Sequence, residues 1–117
     1  MFEVLNINEI LNEKNTAAII MYLYLFGAKT RTEIYNAIST NPRMPQKLEK
    51  LLEQKIIKYT AENSKDGTRV ELTSMGMKIG EMLCRMERLV GGDPESYKWD
   101  GFIRSLDHFG RTDIKSY

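Results

Sequence analysis

The sequence predicts a mainly α-helical protein with one small β-hairpin, an α+β fold. Three observations lead there. Residues 30–39 and 45–54 carry apolar side chains at helical spacing, giving two short amphipathic helices. Residues 56–62 and 68–73 alternate apolar and polar on either side of Ser64-Lys65-Asp66-Gly67. A long apolar stripe at helical spacing then runs from Met75 to Val90. At 117 residues the chain is long enough for one domain with its own core, expected over about 16–90.

The first expected element is a short helix opened by Asn6-Ile7-Asn8-Glu9, a loose capping box, with Ile7, Ile10 and Leu11 on one side. Phe2, Val4 and Leu5 precede any core and suit contact with a partner chain. A second helix is capped by Asn15 or Thr16 and runs to Phe26, with Gly27 just past its end. It is apolar nearly all round, so it is expected to be buried on several sides, with Tyr22, Tyr24 and Phe26 in the core.

Thr30-Arg31-Thr32-Glu33 matches the Ser/Thr-x-x-Glu capping box and opens the helix carrying Ile34, Tyr35, Ala37 and Ile38. Leu48, Leu51 and Leu52 lie on one face of the next helix, and Met44 extends that face. Pro45 fits a first helical turn and biases Met44 away from helix, so this helix is expected to start at Pro45. The turn between the two helices, 39–44, is then longer than the three or four residues usual in a helix-turn-helix.

In the hairpin, Ile57, Tyr59 and Ala61 alternate with polar residues, as do Val70 and Leu72. Asp66-Gly67 suits the turn, because glycine accepts the positive φ such turns require. Thr73 caps a helix through Val90, with Met75, Ile79, Met82, Leu83, Met86, Leu89 and Val90 as its apolar stripe and Cys84 beside it. That stripe suits either the core or a dimer seam. Gly91-Gly92 interrupts it. Asp93-Pro94 then opens a last helix, about 94–109, with Trp99, Phe102, Ile103 and Leu106 on one face.

Formal net charge is only +1, but its distribution is uneven: residues 29–69 hold nine Lys/Arg against five Asp/Glu, while 1–28 and 70–117 are net −2 and −1. One cysteine excludes an internal disulfide and fits a reducing cytosol. The acidic start of the chain is unlike a signal peptide, and the apolar run 17–26 is too short to cross a bilayer, so a cytoplasmic protein without membrane contact is expected. The single His108 lies near the end of a predicted helix, no His/Cys/carboxylate set has metal-ligand spacing, and no glycine-rich phosphate loop follows a strand. The expectation is therefore no enzyme, no cofactor and no metal.

The order helix, turn, helix, hairpin, helix resembles a winged helix-turn-helix with extra N- and C-terminal helices. Residues 47–57, KLEKLLEQKII, resemble the end of the recognition helix and the entry to the wing in MarR-like and PadR-like regulators. Glu71-Leu72-Thr73-Ser74-Met75-Gly76 resembles the x-L-T-x-x-G run with which those proteins leave the wing; Lys55 stands where many of them have glycine. The similarity spans about residues 16–90. It implies a homodimeric, DNA-binding transcriptional regulator. On that reading residues 45–54 enter the major groove of double-stranded DNA. Gln46, Lys47 and Arg43 would meet base edges, since a recognition helix reads mainly from its N-terminal residues. Arg31, Thr32, Lys50, Lys65 and Arg69 would hold the backbone, with 64–69 as the wing. Trp99, Phe102, Ile103, Leu106 and Met86 would form the dimer interface; the alternative for the last helix is that it folds back on the chain's own N-terminal helix. Nothing in the sequence names an effector ligand. Two alternatives remain open: a winged-helix protein-interaction module, and a binder of RNA or of DNA without sequence preference.

Overall fold

The computed structural model describes residues 5–60 and 68–99. The chain is mainly helical with a small three-stranded antiparallel sheet. Its elements are α1 (Asn8–Leu11), α2 (Thr16–Phe26), β1 (Lys29–Thr30), α3 (Arg31–Ala37), α4 (Met44–Glu53), β2 (Ile57–Thr60), β3 (Arg69–Leu72) and α5 (Ser74–Leu89), followed by a 3-10 turn at Pro94–Ser96. The sheet order is β1-β3-β2, with Thr30 and Thr60 both opposite Arg69. The two longer strands match the expected hairpin. β1 was not expected, because two residues are too few to show a period. One buried cluster gathers side chains from α1 through α5 together with Trp99.

Helix ends follow local chemistry. The capping box at Thr30 forms: its Oγ1 accepts from Glu33 N–H at 3.2 Å, and Glu33 Oε1 accepts from Thr30 N–H at 2.9 Å. Three other expected caps do not form, the third being Asp93 before the 3-10 turn. Ile7, not Asn6, occupies the N-cap of α1, without a side-chain cap. Asn15 precedes α2 in the left-handed conformation, φ 73°, and its side chain caps nothing. A short amide tolerates that conformation and is used here to turn the chain. α4 begins at Met44, one residue before Pro45, with Pro45 inside the first turn. Proline's bias against helix at the preceding residue is weaker than the burial of Met44, which is fully covered.

α4 ends in a Schellman motif. Ile56 N–H reaches Leu51 O at 3.0 Å, and Lys55 N–H reaches Leu52 O at 3.0 Å. The residue that must turn left-handed is Lys55, at φ 63°, so lysine here adopts the conformation that glycine takes at least cost. α5 ends the same way, with Gly92 N–H on Glu87 O, Gly91 N–H on Arg88 O, and Gly91 at φ 104°. Thr73 ties the two regions together. Its Oγ1 accepts from Gly76 N–H at 3.1 Å and donates to Lys55 O at 2.7 Å. Gly76 in turn lies where an added Cβ would stand 2.2 Å from Ile56 O. The L-T-x-x-G run therefore has a physical reason: a cap, then a residue with no side chain where the helix crosses the strand entry.

α5 does not use its apolar stripe as its core face, one of the two uses expected of it. Its covered face is Gly76, Gly80, Leu83 and Cys84. An added Cβ at Gly80 would lie 2.6 Å from Tyr24 Cβ, so α2 and α5 pack closely through a glycine. Most of the expected stripe is outside the core: Met75, Met82, Met86, Leu89 and Val90 are exposed. Phe26, expected in the core, is also exposed, whereas Tyr22 is buried. The last expected helix does not begin at Pro94. After the single 3-10 turn the chain is extended at Tyr97. Trp99, expected in a dimer interface, packs into its own chain. Its ring lies 5.8 Å from Tyr22, and Nε1 donates to Pro94 O at 3.0 Å. Lys65, Asp66-Gly67, Phe102, Ile103, Leu106 and His108 lie outside the described residues. Among the described residues no helix is long and apolar enough to cross a membrane.

Candidate nucleic-acid interface

The turn into α4 is built from local hydrogen bonds. Ser39 Oγ accepts from Asn41 N–H at 3.1 Å, and Asn41 Oδ1 accepts from Arg43 N–H at 2.8 Å. These short polar side chains give the extra residues of the turn a defined path. They deliver Arg43 to the start of α4, exposed, with Gln46 and Lys50 exposed after it and Met44, Leu48 and Leu51 turned into the core.

Arg43, Gln46, Lys47 and Lys50 line one recess of about 190 Å³, joined by Glu13 from the segment between α1 and α2. Three cations thus face one carboxylate. Lys47 Nζ lies 3.3 Å from Glu13 Oε1, and Lys50 Nζ lies 3.7 Å from Glu13 Oε2. The Lys47 hydrogen bond and charge, then the Lys50 charge, hold the Glu13 carboxyl below the usual carboxylate range. Lys47 is nine-tenths covered, unlike the outward-pointing base reader expected from its position. Its four-carbon stem lies along the core edge, and its ammonium is already engaged. Arg43, Gln46 and Lys50 keep the accessible part of the recess.

A second polar group forms where α3 meets the sheet. Thr30, Thr32, Glu33 and Arg69 line a recess of about 340 Å³. The ladder brings Arg69 there, opposite Thr30, and its guanidinium lies 3.8 Å from Glu33 Oε1. The Thr30 backbone hydrogen bond, more than the nearby cations, holds the Glu33 carboxyl low. Arg31 lies over the Tyr59 ring, 4.8 Å from its centroid. The hydrogen bond that Arg31 donates to the Tyr59 oxygen raises the Arg31 pKa, and the Glu49 carboxylate of α4 adds to it. Arg31 therefore joins the α3 start to Tyr59 of β2.

The structure thus brings together Arg43, Gln46, Lys47 and Lys50 in one cluster, and Thr32 and Arg69 in another, with Arg31 beside Tyr59. Glu13, Tyr59 and Glu49 were not anticipated. Glu13 is 34 positions from Lys47, so no local spacing could have signalled it. Among the described residues no group of three or more His, Cys, Asp or Glu is placed to hold a metal ion. Cys84 is buried, and burial pushes its thiol pKa up. No protein-family model matches the chain, and no curated protein or solved structure is significantly similar to it.

Proposed function

We propose that the chain is a sequence-specific DNA-binding transcriptional regulator of the winged helix-turn-helix class, acting as a homodimer. The observation that carries this reading is the cationic cluster on the first half of α4, set between a capped helix and a hairpin in the order such proteins use. On this reading Arg43 and Gln46 meet base edges in the major groove, and Lys50 and Arg69 meet phosphates. Thr32 and Arg31, at the start of α3, lie over an adjoining stretch of backbone. Lys47 acts from below, as part of the field rather than as a direct contact.

The test is fluorescence anisotropy of a labelled random-sequence duplex across a salt series. Affinity should fall steeply with salt, and Lys50→Ala should reduce the log–log slope by about 1, as for one lost phosphate contact. The exposed Lys98→Ala serves as the control and should leave it unchanged. No binding at low salt would remove the DNA reading. The exposed apolar stripe of α5 favours a second reading, a protein-interaction module. In that case binding to a partner protein would survive Lys50→Ala and fail with Met86→Glu.

A further inference from the structure

α5 carries three distinct faces. Gly76, Gly80, Leu83 and Cys84 face the core, and Lys78, Glu81, Arg85 and Arg88 form a charged arc. Between them run Met75, Ile79, Met82, Met86 and Leu89. The steps along this row alternate four and three residues, a mean period of 3.5, the repeat of a seam that faces one partner helix in a left-handed coil. Met75 is 47%, Met82 63%, Met86 51%, Leu89 85% and Val90 81% exposed. Five exposed apolar residues on and beside one helix face are the kind of surface that marks an interaction site.

The row is also self-complementary. At its first end Met75 and Ile79 help line a groove of about 480 Å³, with Ile7, Ile10 and Ile56 as its other apolar walls and Asn6, Glu9 and Gln54 as its polar ones. At its other end Leu89 and Val90 are the two most exposed large apolar residues among the described residues. Met75 and Leu89 are each seven residues from Met82, about 10 Å along the axis on either side. A two-fold axis beside Met82 therefore maps the groove of one copy onto the projecting pair of the other.

We infer that α5 pairs antiparallel with α5 of a second copy, about a two-fold axis at Met82, with Leu89 and Val90 of each copy seated in the groove beside Met75 and Ile79 of the other. This rests on the homodimeric reading above and specifies its seam. The contact is isologous and closes at two copies. Methionine at three of the five row positions lets the facing surfaces adapt. A parallel pair would set Leu89 against Leu89 and leave both grooves empty.

Sedimentation equilibrium of the full chain tests the pairing. The wild type should be a dimer at micromolar concentration, and Met82→Glu should weaken association at least about tenfold. Met82→Leu should restore it. Far-UV circular dichroism of Met82→Glu should match the wild type, because that side chain is exposed in the single chain. Orientation is read by oxidative cross-linking. Met82→Cys should link to itself, and Met75→Cys should link to Leu89→Cys in a mixture but not to itself; Cys84 is buried. A wild type monomeric at about 100 μM would overturn the pairing and assign the row to cover by another part of the chain. Self-linking of Met75→Cys would overturn the antiparallel arrangement. No DNA enters these readouts, so a dimer that ignores duplex removes only the DNA reading, and a monomer that binds duplex removes the pairing and the homodimeric part of the reading while leaving the DNA contact.

Discussion

α4 and α5 have the same kind of sequence pattern and opposite outcomes. Each presents apolar residues at helical spacing on one side and charges on the other. In α4 the patterned residues Met44, Leu48 and Leu51 are fully covered. In α5 the patterned row stays largely outside, and the covered face contains two glycines. An apolar stripe is evidence that something covers it. It does not say whether the cover is the same chain. On α5 the closeness of α2 decides, because only a residue without a side chain fits at the crossing with Tyr24.

The sharpest way to break the comparison is to fill that crossing. Gly80→Leu should destabilise by about 3 kcal/mol or more, since its Cβ would meet the fixed root of Tyr24 rather than a movable tip. Loss of the cooperative thermal transition would show it; an unchanged melting temperature would mean that α2 and α5 are not in close contact. Leu48→Ala on α4 should cost about 2–5 kcal/mol by leaving a cavity in the core, measurable by urea denaturation.

The two helix exits sharpen the comparison further. Both use a Schellman motif with a left-handed residue, Lys55 in one and Gly91 in the other. Lys55→Gly should stabilise by about 0.5–1 kcal/mol, the relief of left-handed strain exceeding the added freedom of the unfolded chain. A lower melting temperature would show that the Lys55 stem contributes contacts that outweigh the strain.

Acid should act on the α4 side with a smaller effect. The Lys47 hydrogen bond depresses the Glu13 pKa in the folded state. The associated stability is present above the usual carboxylate range and is lost as pH falls through the depressed folded value. The difference in melting temperature between wild type and Glu13→Gln should therefore shrink on acidification. A difference independent of pH would mean that the ion pair adds nothing. The smallest effect belongs to the outward row of α5. Met86→Ala should change the stability of the monomer by no more than about 0.5 kcal/mol, in contrast to Leu48→Ala. A loss as large as that of Leu48→Ala, measured at a concentration where the chain is monomeric, would place Met86 in the chain's own core.

Local order was legible in the sequence. The capping box at Thr30, the cap at Thr73, the alternation of Ile57, Tyr59, Val70 and Leu72, and the glycine that ends α5 all depend on neighbours within a few positions. Short-range hydrogen bonding and side-chain period set them. The basic segment was legible in the sequence, and Arg43, Gln46 and Lys50 are exposed on it. Tertiary structure alone decided the rest. It set Glu13 on Lys47, folded Trp99 onto Tyr22, and gave the core face of α5 to Gly76 and Gly80 instead of the methionines. Each depends on which distant segment comes close, and how close, and a one-dimensional pattern of apolar and charged residues does not encode that distance.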